Sequence, residues 1–222
     1  MSAFTNEYTT TPSEILRHPF LRPVVTLDEV RLSEDVNELW ARVLSDGNRP
    51  DVVVGIATGG AICVKYMRLP AEIRVFSCSM RRPSTAGKET SRLAPVLRRL
   101  PYAISDNLRR YEHGMLERRS RRAVSGAPAP SEQLQSDVSR IADAVVSSGM
   151  RSILVVDDAV DSGMTLGCVM HALRTSVPSN VEVLSAVIVQ TSQNPTFTAD
   201  YHLYQGVLCR FPWSLDFKKA ND

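Results

Sequence analysis

Short apolar runs alternate along the chain with segments whose apolar residues recur at helical spacing. Residues 52–56 form a β-branched run that is apolar throughout, which is typical of a strand buried on both faces of a parallel sheet. Three further strands are predicted at residues 74–79, 153–156 and 181–189. Strands that alternate with helices predict an α/β fold with a doubly wound, mainly parallel sheet.

Four segments between or beside these runs are predicted to be helical. In the first, Ser33 is a suitable N-cap and Trp40 belongs to the face that would enter the core. Another helix should follow Ser131 as N-cap, because Leu134 and Val138 begin an apolar face at helical spacing. The expected helices are residues 33–44, 61–69, 163–175 and the segment that Ser131 caps.

Residues 81–122 carry a strong excess of positive charge. They contain twelve Lys or Arg residues against four Asp or Glu residues, a local charge of +8 in a chain whose formal net charge is +2. The prolines of this stretch argue against one continuous helix, so the spacing of Leu108, Tyr111 and Met115 predicts an insertion of short amphipathic helices. The charge favours a polyanionic partner, either a pyrophosphorylated substrate or a nucleic acid.

The sequence also indicates the class of protein and its cellular compartment. No apolar run approaches the roughly 18 residues that a membrane span needs, and the polar N-terminus is unlike a secretory signal. We therefore expect a cytoplasmic protein without a membrane partner. The cysteines are too widely spaced for a paired metal site and are expected to be buried thiols: Cys63, Cys78, Cys168 and Cys209.

The most informative segment, residues 153–165, delivers two carboxylates and a small-residue turn to one end of a buried strand. Asp157 and Asp158 follow four apolar residues, and adjacent acids there cost free energy unless cations or hydroxyl donors meet them. The turn that follows opens a helix, where backbone amides and the hydroxyls of Ser162 and Thr165 suit a phosphate monoester. The order of these groups fits a ribose 5-phosphate lying along the loop.

This segment resembles the signature of type I phosphoribosyltransferases that binds 5-phosphoribosyl-1-pyrophosphate (PRPP): an apolar strand, two acids, three variable residues, Ser or Thr, Gly, any residue, then Thr or Ser. The resemblance implies that Asp157 and Asp158 hold the ribose hydroxyls and support Mg2+ on PRPP. It also implies the residues that surround PRPP and its 5-phosphate, namely Asp157, Asp158, Ala159, Val160, Asp161, Ser162, Gly163, Met164 and Thr165.

The same resemblance implies a domain organisation and two further groups of residues. A single domain is expected over residues 1–222, with a basic insertion at 81–130 and a C-terminal hood at 195–217. One group resembles the family's pyrophosphate loop, in which glycines let the backbone approach the diphosphate: Thr58, Gly59 and Gly60. The other stands where the family keeps its catalytic loop and would stabilise the leaving pyrophosphate: Arg81, Arg82 and Lys88.

The acceptor base is indicated by residues from three places. Asp161 matches an aspartate that 6-oxopurine enzymes of the family often place near the base N7, as proton acceptor or orienter. Phe211 and Trp213 resemble the aromatic hood of xanthine-guanine enzymes, where a ring can stack on a base. Gln190 stands where those enzymes usually have Lys, and Leu208 where they have Trp, so an aminopurine or a heterocycle outside salvage stays open.

These features predict an enzyme that transfers phosphoribose from PRPP to a purine-like base, with Mg2+ as cofactor and pyrophosphate as second product. Purine salvage and a homodimer or higher homo-oligomer are the expected context. The alternative is a PRPP- or nucleotide-sensing regulator of the same fold that binds nucleic acid through residues 92–122, where tyrosines alternate with arginines.

Overall fold

A computed structural model describes residues 22–80, 97–122 and 131–218. The strands are β1 (Val24–Thr26), β2 (Val52–Ile56), β3 (Arg74–Cys78), β4 (Ser152–Val160), β5 (Glu182–Gln190), β6 (Tyr201–Gln205) and β7 (Leu208–Arg210). The helices are α1 (Glu29–Ser45), α2 (Gly59–Tyr66), α3 (Tyr102–Arg122), α4 (Glu132–Ser147) and α5 (Met164–Ser176).

Strands β2 to β6 form one parallel sheet in the order β3-β2-β4-β5-β6. Alternate strand residues face opposite layers: Val52 and Val54 pack with α4 and α5, whereas Val53 packs with α1 and α2. The predicted α/β fold with a doubly wound parallel sheet is confirmed. From β2 the chain crosses to β3 on one side and then returns to β4 on the other, so the switch point lies between β2 and β4. Ligands of such sheets bind beyond the carboxyl ends of the strands at that point.

A second, two-stranded sheet lies beside the first and pairs the two ends of the described chain. Strand β1 runs parallel to β7, with Val25 opposite Cys209. Of the predicted hood, β6 lies at the edge of the main sheet, whereas β7 belongs to this small sheet. The hood residues that follow β7 are therefore held next to the beginning of α1.

The helix boundaries show where local sequence determines the structure. Helix α4 begins as predicted, because the Ser131 hydroxyl accepts a hydrogen bond from the Leu134 amide at 3.2 Å. Helix α1 begins at Glu29 and not at Ser33, because Asp28 accepts a hydrogen bond from the Arg31 amide at 2.8 Å and is the actual N-cap. Trp40 lies in the core as predicted.

Helix α3 differs most from the prediction. Residues 102–122 form one helix of 21 residues and not several short ones, because Pro101 precedes the helix and no proline follows within it. The predicted apolar face is also wrong: Leu108 is 39% exposed and Tyr111 is 54% exposed, whereas Ser105 and His113 are buried. Polar contacts, described below, dock this helix in place of an apolar stripe.

The four cysteines are buried free thiols, as predicted. Burial raises the pKa of Cys78 and of Cys209 to about 12. Within the described ranges, none of the helices is both long and apolar enough to cross a membrane.

Candidate active site

The carboxyl ends of β2 and β4 open into a shared cavity of about 240 Å³. Its lining combines the predicted pyrophosphate loop with the predicted acidic pair, at the switch point of the sheet. The lining residues are Ile56, Ala57, Thr58, Gly59, Met80, Asp157, Asp158 and Thr165. Two segments that lie about 100 residues apart in the sequence therefore meet in one site.

Glycine is required in the β2–α2 turn for packing as well as for any ligand. A Cβ atom on Gly59 would lie 2.1 Å from the carboxylate carbon of Asp158, and one on Gly60 would lie 2.2 Å from the carbonyl oxygen of Val156. The peptide bond between Ala57 and Thr58 is cis. The turn thus lies directly against β4, and any side chain at Gly59 would displace the second carboxylate.

The two carboxylates are enclosed together. Asp157 is buried and accepts a hydrogen bond from the Asp158 amide at 2.9 Å. Asp158 accepts one from the Ala159 amide at 3.0 Å and one from the Trp213 indole nitrogen at 3.3 Å. Burial raises the pKa of Asp158, and the hydrogen bonds from its neighbours offset this only in part. Adjacent buried acids of this kind favour the approach of a cation or of hydroxyl donors.

These acids suit a metal that brings its own further ligands. No group of three or more His, Cys, Asp or Glu residues that could hold a metal ion occurs in the described part of the chain. Mg2+ usually binds through one or two carboxylates together with substrate phosphates and water. The oxygen donors of Asp157 and Asp158 therefore fit a Mg2+ ion that is bound jointly with a phosphorylated ligand.

The turn after β4 is shorter than predicted. Strand β4 continues through Ala159 and Val160, which pair with β5, so these two residues belong to the strand and the turn comprises residues 161–163. Gly163 has a φ of +81°, and a Cβ atom there would lie 2.4 Å from the Phe197 carbonyl oxygen. Helix α5 begins directly afterwards without a side-chain cap from this glycine, which leaves its N-terminal end suited to an anion.

The hood residues lie close to the acids. The rings of Phe211 and Trp213 stack on each other with centroids 4.9 Å apart and an interplanar angle of 5°. Trp213 also donates to Asp158, so the hood is tied to the cavity. Gln190, at the end of β5, is buried, and within the described structure its side-chain carbonyl oxygen has no hydrogen-bond partner.

Comparison with known proteins identifies the family. The model of the phosphoribosyl transferase domain matches residues 27–218. The chain belongs to this family. The sequence-based prediction of a phosphoribosyltransferase enzyme that uses PRPP is thereby confirmed. Curated protein sequences give no significant match.

Several solved structures are similar to this phosphoribosyltransferase. The xanthine-guanine-hypoxanthine phosphoribosyltransferase of Helicobacter pylori is 15% identical, with 86% of this chain and 92% of that chain covered and a TM-score of 0.49. A purine phosphoribosyltransferase from Pyrococcus horikoshii Ot3 is 16% identical, with 86% and 94% covered and a TM-score of 0.49. A hypothetical protein from Neisseria gonorrhoeae, solved with bound ppGpp, is 13% identical, with 86% and 89% covered and a TM-score of 0.51.

Helix α3 of this phosphoribosyltransferase reaches the predicted base-side acid. His113 Nε2 lies 3.1 Å from Asp161 Oδ1, and His113 Nδ1 lies 2.9 Å from Arg22 Nη1. Sequence reasoning missed His113. Its neighbours in the sequence are those of a charged surface helix, and its position depends on how α3 packs, which periodicity does not determine.

A buried ionic cluster docks α3 against the hood. Arg210 is 1% exposed and contacts Asp106 on α3, while its Nε atom donates to Asp216 at 2.9 Å. Arg109 donates to the other oxygen of Asp216 at 2.5 Å. Arg110 donates to the Arg22 carbonyl oxygen at 2.8 Å.

Part of the basic insertion is therefore used inside the molecule. Arg109 and Arg110 make intramolecular contacts, which does not favour them as phosphate contacts for a nucleic acid. The predicted catalytic-loop residues Arg81, Arg82 and Lys88 lie outside the described residues.

Proposed function

We propose that this phosphoribosyltransferase transfers the phosphoribosyl group of PRPP, with Mg2+ bound beside it, to a nitrogen of a purine-like base. The observation that carries the proposal is the cavity between β2 and β4, where the acidic pair Asp157 and Asp158 and a glycine turn lie together. In the described part of the chain, none of the ion pairs neutralises Asp158.

The acidic pair would bind the ribose and the cation. Carboxylates accept hydrogen bonds from sugar hydroxyls, so Asp157 and Asp158 would orient the 2- and 3-hydroxyls of PRPP. The same residues would hold Mg2+, which when bound supplies positive charge to the diphosphate. The backbone of Gly59, which lines the cavity, would approach the diphosphate, while Gly60 beside it lets the turn pack closely against β4.

The 5-phosphate would lie at the turn of residues 161–163. Backbone amides at a helix N-terminus favour an anion, and the Thr165 side chain lines the same cavity. The turn is held in place from the hood side, because the Ser162 carbonyl oxygen accepts hydrogen bonds from the Thr196 amide at 2.7 Å and from its hydroxyl at 2.8 Å.

Asp161 is proposed to take up the proton of the acceptor base. Its side chain is 47% exposed, so a ligand can reach the carboxylate. As the base nitrogen forms its bond to C1 of the ribose, the bond from C1 to the pyrophosphate oxygen breaks and its electron pair leaves with pyrophosphate. The N–H proton of the base would pass to Asp161.

Two further residues would hold the base in plane. The face of the Trp213 indole that is turned away from Phe211 would stack on a flat heterocycle. The side-chain carbonyl oxygen of Gln190, which has no partner among the described residues, would accept a hydrogen bond from an N–H group of the base.

The test is a screen of purines and related heterocycles for pyrophosphate release with PRPP and Mg2+. With the best base, Asp161→Asn should keep its calorimetric affinity for PRPP while its single-turnover rate falls by about a hundredfold or more. Asp143→Asn is the matched control, because Asp143 is exposed on α4. An unchanged rate in Asp161→Asn would refute the proton-acceptor role. Absence of turnover with every base would refute the transfer proposal and favour the regulator.

The regulator hypothesis has its own measurement. A nucleic-acid partner would give binding that falls steeply with salt, because phosphate contacts release counterions. When binding of labelled RNA and DNA is measured at two salt concentrations, we expect no binding with such a salt dependence.

A further inference from the structure

Helix α3 places an imidazole against Asp161, the carboxylate proposed to face the base. His113 lies between Arg22 and Asp161, with donor–acceptor distances of 2.9 Å and 3.1 Å on its two ring nitrogens. We propose that His113 positions Asp161: its neutral ring donates the Nε2 proton to Oδ1 and fixes the carboxylate in the orientation that the acceptor base meets. This inference rests on the proposed function, in which Asp161 accepts the proton of the base.

Arg22, which contacts His113 Nδ1, determines the direction of both hydrogen bonds of the imidazole ring. A guanidinium group has only donors, so Arg22 Nη1 donates to His113 Nδ1, which must carry a lone pair. The proton of the neutral ring then resides on Nε2, and Nε2 donates to Asp161 Oδ1.

His113 and Asp161 differ in how far their side chains are exposed to solvent. The His113 side chain is 10% exposed, whereas that of Asp161 is 47% exposed. The imidazole is therefore enclosed and fixed, while the carboxylate remains open to a ligand. This is the arrangement expected of a positioning residue that acts through a second residue, because the histidine is enclosed and the carboxylate is the more exposed member of the pair.

The docking of α3 explains why the imidazole stays in place. Arg109 and Arg210 both bind Asp216, and Arg210 also binds Asp106 on α3. These buried ion pairs hold the helix against the hood on the side that carries His113. Reaction rates respond to displacements of a catalytic group of about 1 Å, so a rigidly held donor matters for the rate.

The competing interpretation is that His113 merely ties α3 to the turn after β4. A structural tie of this kind would affect the melting temperature and leave the rate of the folded enzyme unchanged. A positioning role requires a fall in kcat with a nearly constant KM for PRPP, and recovery when a side chain that can donate at the same place is restored.

The experiment compares His113→Leu with His113→Gln and uses Glu112→Gln, at an exposed position of the same helix, as control. In His113→Leu we expect kcat with the best base to fall by roughly tenfold to a hundredfold while KM for PRPP changes less than about twofold. His113→Gln should recover most of this loss, because its amide can donate to Asp161. Equal kcat in the wild type and His113→Leu, or equal losses in both variants, would overturn the proposal.

A second measurement does not depend on turnover. In protein labelled with 15N in histidine, the His113 ring should show the neutral tautomer with the proton on Nε2, and this signal should shift in Asp161→Asn. A ring protonated on Nδ1, or an Nε2 signal that is unchanged in Asp161→Asn, would overturn the inference. If the wild type turns over no base, the proposed function fails, and this measurement still decides whether His113 holds Asp161.

Discussion

Replacing Asp158 by Asn should stabilise the ligand-free protein and at the same time impair PRPP binding. The carboxylate is enclosed by the backbone of Gly59, the indole of Trp213 and its own strand. Burial raises the pKa of Asp158, so the fold disfavours the ionised form of this carboxylate. Asn has the same size and keeps one oxygen that accepts hydrogen bonds, but it carries no charge.

The expected magnitudes have opposite signs for stability and binding. Single stabilising substitutions commonly raise the free energy of unfolding by about 0.5–2 kcal/mol, and their recurrent cost is lost function at a strained site. For a domain of this size, each kcal/mol shifts Tm by about 2–4 °C, so a rise of a few degrees is expected. A hydrogen bond to a charged group contributes about 1.5–3 kcal/mol, so PRPP affinity should fall by roughly tenfold to 150-fold.

The pH dependence gives an independent check of the cause. Because the folded-state pKa of Asp158 is raised, its ionised form destabilises the fold fully above that pKa, and the penalty disappears as pH falls towards the unfolded value. The Tm advantage of Asp158→Asn should therefore shrink as the pH is lowered. Thermal melts over a pH series and calorimetry with PRPP and Mg2+ measure both effects, with Asp143→Asn as control.

Two outcomes would refute this reasoning. A lower Tm in Asp158→Asn would mean that the carboxylate stabilises the folded protein and does not destabilise it. An unchanged affinity for PRPP, in this variant and in the double variant with Asp157→Asn, would mean that the acidic pair does not bind the ligand.

Three other substitutions or reagents probe the site and its support. Gly59→Ala should weaken PRPP binding by about a hundredfold, since the new Cβ atom would displace the Asp158 carboxylate. The control is Gly47→Ala, which has open space around it and should cost only about 1 kcal/mol of stability. Equal calorimetric affinities of the two variants for PRPP would contradict this. Cys78 and Cys209, whose pKa values burial raises to about 12, should resist a thiol reagent at pH 8 until the protein unfolds; rapid labelling of the native protein would show otherwise. Arg210→Met should lower the unfolding free energy by about 3–5 kcal/mol in denaturant melts, since Asp106 would lose its Arg210 partner and the buried Asp216 would keep only Arg109; a loss below about 1 kcal/mol would mean that the cluster contributes little.

The parts of the fold that sequence predicted well are those determined by local pattern. The run Val52–Ile56 is short, β-branched and apolar on both faces, which favours a buried strand. The acids after residue 156 were expected at the end of β4, which continues for two residues beyond them. In a parallel sheet these two strand ends meet, so the cavity followed from the order of the strands. The glycine turn and the acidic pair could therefore be placed in one site from the sequence.

The errors concern contacts that depend on packing. Ser33 and Asp28 are both suitable N-cap residues. Leu32 lies between them and packs in the core as part of the helix, so the helix begins after Asp28. Ala159 and Val160 looked like loop residues because they follow two acids, but β5 extends far enough to pair with them. The inner face of α3 could not be read from its leucines, since ionic contacts and not apolar ones dock this helix.

The charge of the insertion has a different meaning in the folded chain than in the sequence. A surplus of arginines suggested a surface for a polyanion, yet Arg109 pairs with Asp216 in the hood. Arg210, which shares Asp216, also binds α3 and donates to Thr26 of β1 at 2.8 Å. One buried cluster therefore fixes the hood and α3 relative to each other.

That coupling reaches the acids that are proposed to contact the substrates from two directions. The hood supplies Trp213, which donates to Asp158, and α3 supplies His113, which donates to Asp161. Because the same arginine holds both elements, the acid proposed to bind ribose and the acid proposed to face the base depend on a single support. The position of α3 should therefore affect the transfer step even though none of the described lining residues of the cavity comes from α3.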